Sequence, residues 1–211
     1  MADPLAAAPP GTGAGRREAV AELGAALRDL ADAAVGTEVA DADLGAAAGA
    51  VRELAERLRA VQREPGRPAA VDVPGGGVPA YNPVYGPGSP VAPMLAPGVD
   101  EQGRAVGRVT VGRAYEGFPG LVHGGVLAAV LDAVLAQTSA RATGRAGVTA
   151  TLTVRYRRPV PVGVPLLLTG EVVGQEGRRT CVRAGLGVEG GAGEVLADAE
   201  AVFVTPRDAP A

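Results

Sequence analysis

The sequence has no lysine: all 20 of its basic residues are arginine. With the excess of Ala, Gly, Val and Pro, this reads as the codon bias of a GC-rich genome. An arginine at any one position is therefore a weaker sign of a specific role than usual. A basic excess is also missing, since the formal net charge is −3. That argues against a nucleic acid or an anionic membrane as the main partner. A single cysteine, Cys181, excludes a disulfide framework or a cysteine metal site within one chain and fits a reducing compartment. A single histidine, His123, leaves a metal hydrolase short of ligands. No long apolar run occurs. The most apolar stretch, Val126 to Ala136, is short and interrupted by Asp132, whereas a spanning helix needs about 20 apolar residues. Met1 to Gly15 lacks the basic start and apolar run of a signal peptide. The expected location is the cytoplasm, with no membrane partner.

What is present is 47% apolar residues in a chain of 211, enough for one good core plus an appendage. Residues 1–15 are Ala, Pro and Gly with little else and are expected to be a disordered tail. Residues 16–64 read as a helical hairpin. Its first face is Val20, Leu23, Leu27, Leu30 and Ala34. Asp41 or Asp43 caps a second helix with the stripe Leu44, Ala47, Val51, Leu54, Leu58 and Val61. Residues 1–70 hold 8 Arg against 11 Asp plus Glu, so this pair does not read as DNA-binding. It is expected to pack or oligomerise. Residues 65–99 are rich in Pro and Gly and read as a linker or wrapping loop, with Tyr81 and Tyr85 as anchors.

The texture then changes. Arg104 to Arg113 alternates as a strand, and Glu116 to Gly120 is a turn. Val122 to Ala142 reads as one long helix, apolar nearly all round and so buried. Strands follow at 148–157, 166–173, 179–188 and 195–205, expected to pair as an antiparallel meander, with 207–211 as a tail. A sheet of about five strands curled round one buried helix satisfies this order, an α+β architecture.

An ionisable residue sits in the middle of that helix. Asp132 lies among Val130, Leu131, Ala133 and Val134, and burying a lone carboxylate is costly unless it is hydrogen-bonded or paired. The alternative is a solvent-facing place on a narrow polar strip with Gln137 and Ser139. At the helix start stand His123, Gly124 and Gly125. The first N–H groups of a helix have no internal partners, its dipole makes that end electropositive, and glycine allows close approach. This is a ready oxyanion site for a polarised carbonyl. The alternative is a capping or packing histidine at a tight helix start.

The run Glu116-Gly117-Phe118-Pro119-Gly120-Leu121-Val122-His123-Gly124-Gly125, then Asp132, then Val148 to Pro161, closely resembles the hotdog thioesterases. The branch it resembles is the phenylacetate-pathway (PaaI-type) thioesterases of the 4-hydroxybenzoyl-CoA thioesterase superfamily. The resemblance covers residues 100–206. It implies a hotdog fold and hydrolysis of an acyl-CoA to a free acid and CoA, without a separate cofactor. It further implies that the Gly124 N–H polarises the thioester carbonyl and that Asp132 activates water or attacks directly. Thr149 would position the water or the carboxylate, and His123 would orient the thioester. Some relatives carry an asparagine upstream of the histidine, where this chain has Glu116 and Gly117. Gly125 is expected to line the substrate site. Arg155, Arg157 and Arg158 end the strand and are candidates for the CoA phosphates, which arginine binds well. A solvated strand end is their alternative.

Gly124 and Asp132 are eight residues apart, about 12 Å along a helix, while an attacking water must sit roughly 3 Å from the carbonyl carbon. One chain cannot easily bring both to one thioester. Two antiparallel helices at a two-fold axis can, so a homodimer, or a dimer of dimers, with sites at the interface is expected. Three other readings stand beside it: an acyl-CoA-binding regulatory or scaffold protein on this fold, which would not need Asp132; a thioesterase acting on acyl-carrier-protein substrates; and a hotdog hydratase or dehydratase, whose histidine and carboxylate stand at a different spacing. Cys181 is expected to be a small, semi-buried strand residue and not a nucleophile, because no second histidine exists to activate it.

Overall fold

The computed structural model describes residues 13–72 and 78–207. Most of the expected N-terminal tail and most of the C-terminal one lie outside the described residues, as does the Pro74-Gly75-Gly76-Gly77 run. The described chain divides into two compact units. The first holds residues up to 82 together with 86–90, and the second holds 83–85 and everything from 91 onward.

The first unit carries helices α1 (Ala14–Gly36) and α2 (Asp41–Arg59). Helix α1 begins inside the stretch expected to be a tail. Its buried face differs from the expected one. Val20 and Gly24 are buried, whereas Leu23 and Leu30 are exposed. The cause is the Pro/Gly-rich loop that packs on α1. Gly24 has no side chain, and the backbone of Pro87 and Gly88 occupies that space. Two arginines on the same face hold the loop's carbonyls. Arg17 donates to Val71 O (2.6 Å), and Arg28 donates to Pro87 O (3.0 Å) and Ser89 O (2.6 Å). Here polar donors, not leucines, define the packed face. Tyr81 lies under the Arg63 guanidinium, 5.3 Å from ring centroid to Cζ. Neither Asp41 nor Asp43 caps α2: Ala40 is its N-cap and no side chain caps it, and the two aspartates lie in the first turn, where their charges suit a helix N-terminus. None of its residues is buried, and Leu44, Val51 and Leu58 stand exposed.

The second unit is a six-stranded antiparallel sheet packed on one long helix. Its strands are β1 (Ala96–Val99), β2 (Ala105–Thr110), β5 (Val148–Tyr156), β6 (Pro165–Glu176), β7 (Arg179–Val188) and β8 (Ala197–Val204). A short hairpin of β3 (Glu116–Phe118) and β4 (Leu121–Val122) precedes helix α3 (Gly124–Thr143). The order across the sheet is β1-β2-β6-β7-β8-β5. Period-two alternation turns Leu166, Leu168, Val182, Ala184, Leu186, Ala199, Ala201 and Phe203 toward α3. Helix α3 answers with Leu127, Val130, Leu131, Val134 and Leu135. Each fully buried side chain of this size contributes about 1.5–3 kcal/mol. Gly170 of β6 lies against Thr138 with no room for a side chain, which lets helix and sheet approach closely. The helix ends at Gly144, in the left-handed region at φ 68.

Two expectations about this unit are corrected. The last four strands are not a simple meander: β6, β7 and β8 are, but β5 lies beyond β8 at the edge and β6 pairs with β2. The segment between β5 and β6 carries the chain across. Pro161 bridges to Leu121, and Gly163 donates to Val111 O (2.8 Å). The second concerns Ala96–Val99, expected to be loop, which pairs with β2 and brings the sheet of about five strands to six. Its Pro97 and Gly98 hid it, as proline is tolerated on an edge strand. The result is the hotdog arrangement, an antiparallel sheet wrapped on one central helix, with an N-terminal helical pair.

Candidate active site

The β3–β4 hairpin delivers the chain to α3. Glu116 accepts the Gly120 N–H (2.9 Å) and closes the turn. Gly117 packs against His123, where a Cβ would sit 2.9 Å from the histidine Cα. The residue at this place therefore gives up its side chain to let His123 lie under the hairpin.

His123 is the N-cap of α3. Its Nδ1 accepts the Gly125 N–H (3.0 Å), which puts the imidazole proton of the neutral ring on Nε2. Following the backbone donors through the turn singles out one group. Val122 donates to Val160 O (2.9 Å), and His123 donates to Tyr115 O (2.9 Å). Gly125 donates to His123 Nδ1, while Val126 and Leu127 both donate to His123 O (2.9 and 3.2 Å). Among the described residues nothing accepts the Gly124 N–H. It is the one free donor at an electropositive helix start. The Gly125 N–H is already taken by His123.

Asp132 lies two turns along the same helix. It is half-buried between the buried Leu131 and Ala133. Its Oδ1 accepts a hydrogen bond from the Thr149 hydroxyl of β5 (3.0 Å). A β-bulge makes this contact. Thr149 pairs with Phe203 and Thr151 with Val202, so Ala150 is an extra residue. In a regular ladder Leu152, Val154 and Tyr156 would share the helix-facing side with Ala150, and Thr149 would face away. The bulge turns Thr149 to the helix.

Tyr156, at the other end of β5, was not singled out in the sequence. Its hydroxyl donates to Gly124 O (2.8 Å), and its ring packs beside Gly124. The only sequence signal was a rare aromatic on the helix-facing parity of β5.

The three arginines all have carboxylate partners. Arg155 meets Asp198 (3.5 Å) and Glu200 (3.4 Å). Arg157 pairs with Asp198, whose hydrogen bond and charge raise the arginine pKa still further. Arg158 pairs with Glu194. All three are exposed, so a phosphate would compete with these carboxylates. Cys181 is half-buried on the outer face of β7. Depressions of about 400 and 460 Å³ occur on that outer face and near Arg141, and neither includes Asp132 or Gly124. Among the described residues no group of His, Cys, Asp and Glu could hold a metal ion. No described helix is long and apolar enough to cross a membrane.

Comparison with known proteins decides the family. A crystal structure of a thioesterase superfamily protein superposes with a TM-score of 0.73 at 33% sequence identity, covering 93% of this chain and 97% of that one. The chain belongs to the thioesterase superfamily. The family model of that description matches residues 119–192, from the hairpin before His123 to the turn after β7. The acyl-coenzyme A thioesterase THEM4 of Bos taurus is 35% identical over 68 residues, covering 32% of this chain and 27% of that protein. Its Xenopus laevis counterpart is 39% identical over 70 residues, covering 32% and 30%. The match thus spans less than a third of the length of these curated relatives. A Bacillus halodurans protein, crystallised with CoA, is 26% identical with a TM-score of 0.50, covering 55% of this chain and 76% of that one.

Proposed function

We propose that this protein is an acyl-CoA thioesterase of the PaaI-type branch, releasing a free acid and CoA. The observation that carries the reading is the pairing of one unclaimed donor with one held carboxylate on a single helix. The thioester oxygen accepts the free Gly124 N–H. As water attacks, negative charge grows on that oxygen, and a fixed donor at a helix start stabilises it more than it stabilises the ground state. Asp132, oriented by Thr149, takes the proton from the attacking water or attacks the carbonyl carbon itself. The tetrahedral intermediate then expels the CoA thiolate, which takes up the proton released from water; where Asp132 itself attacked, water hydrolyses the resulting mixed anhydride, freeing the acid and restoring the carboxylate.

The two groups serve one thioester by coming from two copies of the chain. Along α3 they stand about 12 Å apart, too far for one reacting carbon. The edge strand β5 supports a homodimer. None of its nine residues is buried, it is unpaired on its outer side, and it exposes Val148, Leu152 and Tyr156. A long, apolar, open edge invites a second strand. The protein works in the cytoplasm on CoA thioesters, without a cofactor. Arg155, Arg157 and Arg158 meet the CoA phosphates by exchanging their carboxylate partners.

The test is thiol release from acyl-CoAs running from short aliphatic to arylacetyl. Asp132→Asn keeps the size and the Thr149 contact but removes the base. Turnover by wild type and a loss of about 100-fold or more in the variant is the expected result. Binding of acyl-CoA with no thiol release would move the protein to the regulatory reading.

A further inference from the structure

We propose that Tyr156 is a positioning residue of this site, acting through the Gly124–Gly125 peptide; the inference rests on the thioesterase reading above. That peptide unit is held at both ends. Its carbonyl oxygen accepts the Tyr156 hydroxyl (2.8 Å), and its N–H donates to His123 Nδ1 (3.0 Å). The preceding unit, His123–Gly124, is held at its carbonyl by the N–H groups of Val126 and Leu127. Its N–H is the free donor of Gly124. Two consecutive peptide planes are thus fixed, and the direction of that N–H follows from them. Glycine pairs have the most backbone freedom of any sequence, so this stretch needs external restraint to hold one direction. His123 and the helix's own bonding restrain it from within, and Tyr156 adds a restraint from the sheet.

Tyr156 also gives β5 a second duty. Thr149 at one end of the strand holds Asp132, and Tyr156 at the other holds the Gly124 carbonyl. One edge strand therefore references both working groups of α3 to the same backbone. The Tyr156 ring lies where a side chain on Gly124 would begin, with Cζ 3.3 Å from an ideal Cβ, so hydroxyl and ring close the same flank. Tyr156 is 54% exposed in the single chain, so its hydroxyl can be removed without opening the core of that chain. Its hydroxyl bond is the part with a specific consequence.

The experiment replaces Tyr156 by Phe, keeping the ring and removing the bond. Hydrogen exchange at the Gly125 amide is followed by NMR, and kcat and KM are measured for the best acyl-CoA. Losing one hydrogen bond is expected to speed Gly125 exchange about 3- to 10-fold with unchanged melting. It should lower kcat about 5- to 10-fold with KM within about twofold, the pattern of an interaction felt in the transition state. Unchanged Gly125 exchange, or a rise in KM with kcat intact, overturns the proposal. Wild-type protein inert toward every acyl-CoA would instead overturn the thioesterase reading and the catalytic half of this one, and the exchange measurement still decides whether the clamp exists. If the variant melts early, Tyr156→Leu at matched stability separates packing loss from bond loss: equal exchange rates in both variants support the bond.

Discussion

The Thr149 hydroxyl sits where its removal is informative, because valine has nearly the same shape. Thr149→Val leaves the methyl of the side chain on the strand and withdraws the donor from Asp132 Oδ1. The residue is exposed, so water can replace the donor and the stability change should stay within about 1 kcal/mol. Water does not replace the orientation. We expect kcat to fall about tenfold with a melting temperature close to wild type, read by thiol release and thermal unfolding. An unchanged kcat would mean that Thr149 does not orient the carboxylate. At this scale much was legible from the sequence. A carboxylate inside an apolar helix and glycines at its start stand out by composition alone. The direction of each N–H was not legible, because it depends on which neighbours accept it. Only coordinates separate the free Gly124 donor from the Gly125 donor that His123 occupies. Tyr156 escaped notice for the same reason, since its partner is a backbone carbonyl 32 residues away.

The elements were legible where hydrophobic periodicity is strong. Helix α3 and strands β5 to β8 fall close to their expected bounds because their alternation and their apolar density leave few other choices. Period-based reading failed in three places, each for a physical cause. Strand β1 carries Pro97 and Gly98, which read as loop. Helix α1 buries Val20 and Gly24 and turns Arg17 and Arg28 to the loop instead of its leucine stripe, since its partner is a run of carbonyl groups. The bulge at Ala150 breaks the parity of β5, and no sequence rule locates it. That bulge makes a prediction. Exchanging the two residues, as Thr149→Ala with Ala150→Thr, should leave the enzyme as impaired as Thr149→Ala alone. In a bulged strand a threonine at 150 does not meet Asp132. Thiol release restored to wild type in the double variant would show a regular strand there.

For the whole molecule, we propose a site assembled from two chains. The fold leaves β5 open along its length and separates Gly124 from Asp132 on one helix, and a second copy answers both facts. Two variants divide the site. Asp132→Asn removes the carboxylate. Gly124→Pro removes the free N–H at the first helical position, where proline is well tolerated. His123 already has the extended backbone (φ −60, ψ 132) that must precede a proline, and the Tyr156 ring need yield only slightly. Each homodimer should lose about 100-fold or more. The deciding measurement is thiol release by heterodimers of the two variants, co-expressed with different tags and purified through both. Such a dimer pairs the intact Asp132 of one chain with the intact Gly124 of the other at one of its two sites. About half of wild-type activity is expected of it. Heterodimers as inactive as their parents would contradict the two-chain site, and would place both groups of each site on a single chain.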